Sequence, residues 1–521
     1  MPQGATADPA LDATGAEAPD APGTGGGSPG TATSAQASRR HSSRRHSSRW
    51  RFVVVALVVY YALAFAVFAR WDSRHWYPVT GDEPHYLVMA SGIAHDHTVE
   101  QTRPAEQEFA AKKIVPDGLG PKGSIPTPAN SHIIVGPHGR YSIHGIGLPL
   151  LLAAPYWLGE TTGAKLWMIA MSGMVVAAAA YVAVRRFPSR PAALVATIAA
   201  TAAAPLLTSA AQVYPDIPGG VASLVVLVAY TTFERARRLA SDVGLALLLA
   251  FQPWLQIKFS LPALIGAVAL GGQYTRTRQW RRLGLLVGIV AGSFALLGWY
   301  NAYAFGDVTG PYGGLSGNFA LDKTALMVFA GLHVDRLQGI LVQNPLLVVG
   351  LVELVLGVAR RRAWALYTAA VYLAFVVPNA MFTNWYGGAS FAGRFAMSGG
   401  IVLVLPTILG LARLWSWRRA VFGVVVSAGI LLQGAFLVEY VSRRFDFYNV
   451  WPGIAPSGYP SLYGPVAHLL PALYNSAWAF HFGPNRVALV LGAAAAVAAL
   501  GWSGYRLVSD RPWRHAPPLG T

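Results

Sequence analysis

No cysteine occurs among the 521 residues, which excludes disulfides and thiolate-ligated metal centres. Charge is also scarce: Asp, Glu, Lys and Arg make up 12% of the chain, about half of the roughly 25% typical of soluble domains. Acids are the rarer sign, with 23 Asp and Glu against 40 Lys and Arg. Hydrophobic residues fill the space, at 54% of the chain with a mean hydropathy of +0.41. Runs of about 20 apolar residues recur between arginine clusters, which predicts an all-α, polytopic membrane protein.

The net charge of +17 does not indicate a nucleic-acid binder. The arginines sit in short loops between apolar runs, as the positive-inside rule places them, and not along one face. Residues 1–48 are mostly Ala, Gly, Pro, Ser and Thr, ending in an Arg-Arg-His-Ser-Ser repeat. Such a segment has nothing with which to build a core and reads as a disordered basic cytosolic tail. Phe52 to Ala69 form the first span; a signal peptide cleaved after Ala64-Phe65-Ala66 is the rival reading, against which the long preceding tail argues.

With that tail inside, residues 71–145 form a first extracytoplasmic loop that carries juxtamembrane helices. The clusters at Arg185–Arg186, Arg235–Arg238, Arg276–Arg282, Arg360–Arg362, Arg413–Arg419 and Arg506–Arg514 then lie inside. Between clusters the chain goes out and returns, giving about 12 crossings with both termini cytosolic. The transmembrane domain covers 49–508, a last extracytoplasmic loop 445–485, and a cytosolic tail 509–521. The apolar stretch 147–159 is too short to cross and reads as a re-entrant or juxtamembrane helix feeding a span at 163–184. Richness in Ala, Gly and Arg suits a bacterial plasma-membrane protein.

This register puts the unusual polar strings on the outer side. The first is Gly81-Asp82-Glu83-Pro84-His85-Tyr86-Leu87. Ionisable groups at membrane level are costly, and are functional candidates for that reason. Asp82 suits the N-cap of a helix reaching about Ala94, with Pro84 in its first turn and Tyr86, Ala90 and Ile93 on an apolar stripe suited to the membrane surface. Capping needs one acid only. The other reading makes Asp82 a general base, with Glu83 orienting a substrate or metal.

His144 precedes the 147–159 segment and is either a solvated loop residue or a ligand. Asp216, between Pro215 and Pro218, is a turn acid or a second carboxylate facing the first. Lys258, inside a long apolar run, snorkels outward or binds an anion at the tip of a hairpin formed by 243–257 and 259–273. Arg394 follows Trp385-Tyr386-Gly387-Gly388 and is an interfacial anchor or a bidentate phosphate ligand. Asp335-Arg336 and Glu439–Arg443 read as local ion pairs, and Glu353 as a partner of the inner arginines.

Taken in order, Gly81 to Leu87, His144-Gly145-Ile146-Gly147-Leu148-Pro149-Leu150, Tyr214-Pro215-Asp216, Lys258 in its hairpin and Trp385 to Arg394 resemble the GT-C superfamily of integral membrane glycosyltransferases. That group includes protein O-mannosyltransferases, the aminoarabinose transferase acting on lipid A, and cell-wall arabinofuranosyltransferases. The resemblance covers about residues 50–440. It implies a polyprenyl-phosphate-linked sugar donor, membrane-lipid contacts, and a glycan, lipid or protein acceptor on the extracytoplasmic side. It makes Asp82 the catalytic base and Glu83 its support, with Lys258 and Arg394 on the donor phosphate. His85, Tyr86, His144 and Asp216 complete the expected substrate-binding set. No cofactor is implied beyond a divalent cation, for which Asp82, Glu83 and Asp216 are candidate ligands. The Pro-His that follows the acid pair departs from the mannosyltransferases. A lipid transporter or flippase, or a non-catalytic envelope-assembly protein, is the alternative; a transporter would carry midplane charges and internal repeats.

Overall fold

A computed structural model of the chain describes residues 51–72, 79–115, 127–128, 131–233, 238–311, 321, 323–382, 387–388, 390–443, 447–449 and 458–473. The two terminal tails, Trp385, Tyr386 and the span expected near residue 490 lie outside them.

Among the described residues, six helices are long and apolar enough to cross a membrane. They are α1 (Arg51–Arg70), α4 (Gly147–Arg186), α9 (Trp280–Phe305), α13 (Ala363–Met381), the segment Arg394–Trp417 that contains α14 (Met397–Trp417), and α15 (Arg419–Ser442). Shorter apolar helices stand among them: α6 (Asp216–Thr231), α7 (Leu239–Leu255), the Ala325–Val334 part of α10 (Lys323–Val334) and α12 (Leu347–Ala359). The protein is thus an all-α polytopic membrane protein. Among the described residues the sole sheet is a hairpin, β1 (Ile133–Gly136) with β2 (Gly139–Ser142). It lies in the first loop with two short helices, α2 (Glu83–Ser91) and α3 (Thr102–Ala111).

The helix Arg394–Trp417 is the centre of the packing, with 89% of its apolar window buried, against 11% for α9. Helices in lipid associate through close backbone approach and not through exclusion of water, so small residues mark their contacts. Gly350 of α12 illustrates this: a Cβ there would lie 2.3 Å from Thr407 Oγ1 of α14.

Helix α4 is broken at Gly159 and Glu160, whose φ/ψ of −156°/23° and 50°/−139° are not helical. The short segment 147–158 therefore enters at a different angle from the longer one, as the apolar run too short to cross predicts. The hairpin expected around Lys258 is also present. Helix α7 ends at Leu255, a turn occupies Ile257–Phe259, and α8 (Ser260–Arg276) returns.

One expectation fails at α2. Its stripe of Tyr86 and Ala90 does not lie on a surface, because Glu83 to Ala90 are all buried. The helix packs against α4 and is enclosed on every side, so residues outside the apolar stripe are as hidden as those on it.

Candidate functional site

The sequence brings four helix starts to one end of the bundle. Asp82 precedes α2, Asp216 opens α6, Lys258 sits at the turn before α8, and Arg394 begins the turn leading into α14. Helices α4, α8 and α14 end near Arg185 and Arg186, Arg276, and Arg413, respectively. At 1.5 Å rise per residue, the 19 positions from Arg394 to Arg413 span roughly 28 Å. The polar strings and the arginine clusters therefore occupy opposite ends of these helices.

Arg394 is the hub. Its Nη1 donates to Asp82 Oδ2 at 2.9 Å and its Nε to Asp216 Oδ2 at 3.3 Å. The other Asp216 oxygen, Oδ1, accepts from Lys258 Nζ at 2.8 Å. The guanidinium lies 3.7 Å over the Tyr214 ring, which holds it by cation–π attraction. Tyr214 in turn donates its hydroxyl to the Thr80 carbonyl at 2.6 Å. Lys258 Nζ is about equally far from the Phe259 and Phe395 rings, 5.1 and 5.0 Å.

The four charges form a chain, Asp82–Arg394–Asp216–Lys258, whose middle is sealed and whose ends are open. The Arg394 and Asp216 side chains are 4% and 1% exposed, whereas those of Asp82 and Lys258 are 29% and 16% exposed. The ends are therefore the groups a ligand can reach. Asp82 does occupy the N-cap of α2, but its side chain makes no capping bond; it is turned to Arg394 instead. Burial raises the Asp82 carboxyl, and the Arg394 guanidinium with His144 and His132 outweighs it, holding the group well below the usual carboxylate range.

Glu83 has a different part from its neighbour. Its Oε2 accepts from Thr80 N at 2.6 Å and Thr80 Oγ1 at 3.0 Å, and its Oε1 from Val213 N at 2.7 Å. It is fully buried and ties the start of α2 to the segment before α6. Glu83 and Asp216 thus have both oxygens engaged, and the divalent-cation site expected from Asp82, Glu83 and Asp216 is not assembled.

Histidines gather around Asp82 instead. His132 Nδ1 lies 2.9 Å from His144 Nε2, and ligand atoms of Asp82, His132 and His144 all fall within 4.8 Å of one another. The His85 ring stacks on His132 with centroids 3.9 Å apart, and Tyr86 meets His144 at 4.8 Å. Burial pushes the His144 imidazole down to about 4 despite the opposing charge of Asp82. Burial, with the two neighbouring imidazoles, pushes His85 well below the ordinary histidine value.

His132 was not legible as a site residue from its surroundings alone, although a signal exists. Gly136-Pro137-His138-Gly139 is a two-residue hairpin turn between β-prone runs. Residues equally distant from the turn then pair, and Ile133 does face Ser142. One step beyond, Ile143 N donates to His132 O at 2.9 Å, which brings His132 beside His144.

The loop carrying His144 presses on the α7–α8 hairpin because Gly145 has no side chain: a Cβ there would lie 2.5 Å from the Leu255 carbonyl oxygen. Between them lies a small, mainly apolar cleft of about 30 Å³, lined by His144, Ile146, Trp254, Ile257, Tyr300 and Pro311 among others. Outside the site, Glu353 pairs with Arg413 at 2.7 Å and Glu439 with Arg443 at 3.5 Å. The Asp335 carboxylate receives the backbone N–H groups of Leu337, Gln338 and Leu473.

No protein-family model matches the chain, and no curated protein matches it. Among solved structures it is similar to ArnT from Cupriavidus metallidurans bound to undecaprenyl phosphate. That likeness is at 17% identity and a TM-score of 0.41, over 74% of this chain and 69% of that one. The same enzyme in the apo state matches at 17% identity and a TM-score of 0.39, over 74% of this chain and 64% of that one. At this identity and TM-score the likeness assigns no substrate and no residue role to the chain.

Proposed function

We propose that this protein is a membrane glycosyltransferase. In this reading it moves a sugar from a polyprenyl-phosphate donor to an acceptor hydroxyl on the extracytoplasmic side of the membrane, in cell-envelope glycan, glycolipid or glycoprotein synthesis. The observation that carries the reading is the charge chain Asp82–Arg394–Asp216–Lys258, with an open carboxylate at one end and an open ammonium at the other. Its place opposite the arginine-bearing helix ends supports the extracytoplasmic side.

The chain as it stands is a resting arrangement. A carboxylate held by Arg394 is a weak base, and a phosphodiester is the group that competes with carboxylates for a guanidinium fork. A donor phosphate that displaces the exposed Asp82 carboxylate from Arg394, with Lys258 as its second cation, frees Asp82. Asp82 then removes the proton of the acceptor hydroxyl, whose oxygen attacks the anomeric carbon as the bond from that carbon to the phosphate oxygen breaks. The electron pair stays on the phosphate oxygen, where Arg394 and Lys258 stabilise the developing charge. The products are the glycosylated acceptor, with its anomeric configuration inverted, and polyprenyl phosphate; the proton resides on Asp82 until solvent takes it. Asp216 positions the two cations, and Glu83 fixes the turn that presents Asp82.

The test is turnover of a panel of labelled polyprenyl-phosphate sugars by the full chain in proteoliposomes supplied with envelope extract as acceptor. Release of polyprenyl phosphate from at least one donor, abolished in Asp82→Asn, is expected. No turnover of any donor, or undiminished turnover in the variant, overturns the reading; movement of intact donor across the bilayer without turnover identifies a flippase.

A further inference from the structure

We infer that Asp82, His132 and His144 form a binding site for one divalent transition-metal ion of the zinc type. Three residues that all ligate such ions meet here from two separate segments, the turn before α2 and the open end of the β1–β2 hairpin. The donor set is two imidazole nitrogens and one carboxylate. It suits a borderline ion and not magnesium or calcium, which take mainly oxygen ligands. With three protein ligands the site keeps an open position, as catalytic zinc sites do.

The distances fit. Ligand atoms held about 2.0–2.1 Å from a tetrahedral ion stand roughly 3.3 Å apart. The two imidazole nitrogens are already 2.9 Å apart, and the Asp82 carboxylate lies within 4.8 Å of both, so a modest rotation of its side chain closes the set. A second observation singles the cluster out. The buried His85, 4% exposed, has no hydrogen-bond partner for its Nε2 among the described residues while its ring lies flat on His132. The His85 ring stacks on both His132 and His144, so it constrains the planes of the two ligating rings, and metal-ligating histidines are held in orientation by such outer neighbours.

The consequence for catalysis rests on the glycosyltransferase reading, but the binding of the ion does not. The two carboxylates and two cations of the charge chain cancel. A donor phosphodiester would therefore leave one buried negative charge uncompensated. A divalent ion bound through one Asp82 oxygen supplies the missing positive charge beside the phosphate and leaves the other oxygen, which Arg394 releases, to take the acceptor proton.

The experiment uses the full chain in nanodiscs, freed of any histidine tag, stripped with chelator and titrated with Zn²⁺ and Co²⁺. One equivalent of either ion is expected to bind, Co²⁺ with the visible bands of a low-coordinate site. His132→Gln and His144→Gln should each lower affinity more than about 100-fold, beyond what loss of an outer partner costs. His138→Gln, on the same hairpin, should leave it unchanged. Zinc-edge X-ray absorption of the unaltered protein should show two imidazoles and needs no variant to fold. Absence of stoichiometric binding, an oxygen-only shell, or unchanged affinity in the His132 and His144 variants overturns the site. Metal bound without sugar transfer sinks the proposed activity alone, and sugar transfer by a protein that binds no metal sinks the metal site alone.

Discussion

Arg394 donates to Asp82 at 2.9 Å across a sequence separation of 312 residues. The contact joins the loop after the first span to the start of the most buried of the six long apolar helices, so its loss has two readable consequences. Arg394→Ala leaves Asp82 and Asp216 without their shared cation. Removing one partner of a buried pair costs about 3–5 kcal/mol, so a large fall in melting temperature is expected. Arg394→Lys keeps the charge but cannot reach both carboxylates as a planar fork does. It should stay folded, with donor turnover reduced about 100-fold, the scale of losing one transition-state donor. A folded Arg394→Lys protein with full turnover would remove Arg394 from the mechanism.

Lys258→Met keeps the length of the side chain and removes its charge. A hydrogen bond to a charged group contributes about 1.5–3 kcal/mol, so the KM for a polyprenyl-phosphate donor should rise between about tenfold and 100-fold. Steady-state kinetics at fixed acceptor checks this. Unchanged KM and unchanged kcat would place Lys258 away from the donor phosphate.

Glu83→Gln separates positioning from chemistry. The Glu83 carboxylate accepts three donors from Thr80 and Val213, and a glutamine turns an N–H₂ toward at least one of them. An unsatisfied buried donor costs about 1–3 kcal/mol, to be read as lowered thermal stability. If Glu83 were itself the base, turnover would vanish with stability unchanged.

Gly145→Ala tests the seating of the His144 loop on the α7–α8 hairpin. The added Cβ would meet the Leu255 carbonyl oxygen at 2.5 Å, a backbone atom that cannot swing aside, so the two segments must separate. Overpacking of this kind costs about 1–3 kcal/mol. Donor KM should rise as well, because the hairpin carries Lys258. Full stability and unchanged KM would show that the cleft adapts freely.

The residues of the charge chain were legible because polar groups are rare in this chain, and an acid or a cation beside a long apolar run has few bland explanations. Asp82, Asp216, Lys258 and Arg394 all announce themselves in that way. Their partners did not. Asp216 reads equally well as a turn acid until Lys258 and Arg394 are seen on its two oxygens. Glu83, adjacent to Asp82, looked like half of a pair, yet one residue of helix turns its carboxylate toward the Val213 amide. His132 belonged to the same site and stayed hidden, since its pairing follows from a hairpin register and not from its neighbours.

Sequence alone determined the all-α membrane class, the break near residue 159 and the hairpin around Lys258. Each is a local consequence of how many apolar residues run together and where glycine, proline or charge interrupts them. Tertiary structure alone decided which charges neutralise which, that α2 is enclosed and not a surface helix, and that Asp82 sits among imidazoles. Those outcomes depend on contacts between segments tens to hundreds of residues apart. Apolar patterning sorts residues between lipid and protein, but it does not specify which buried carboxylate will find which cation.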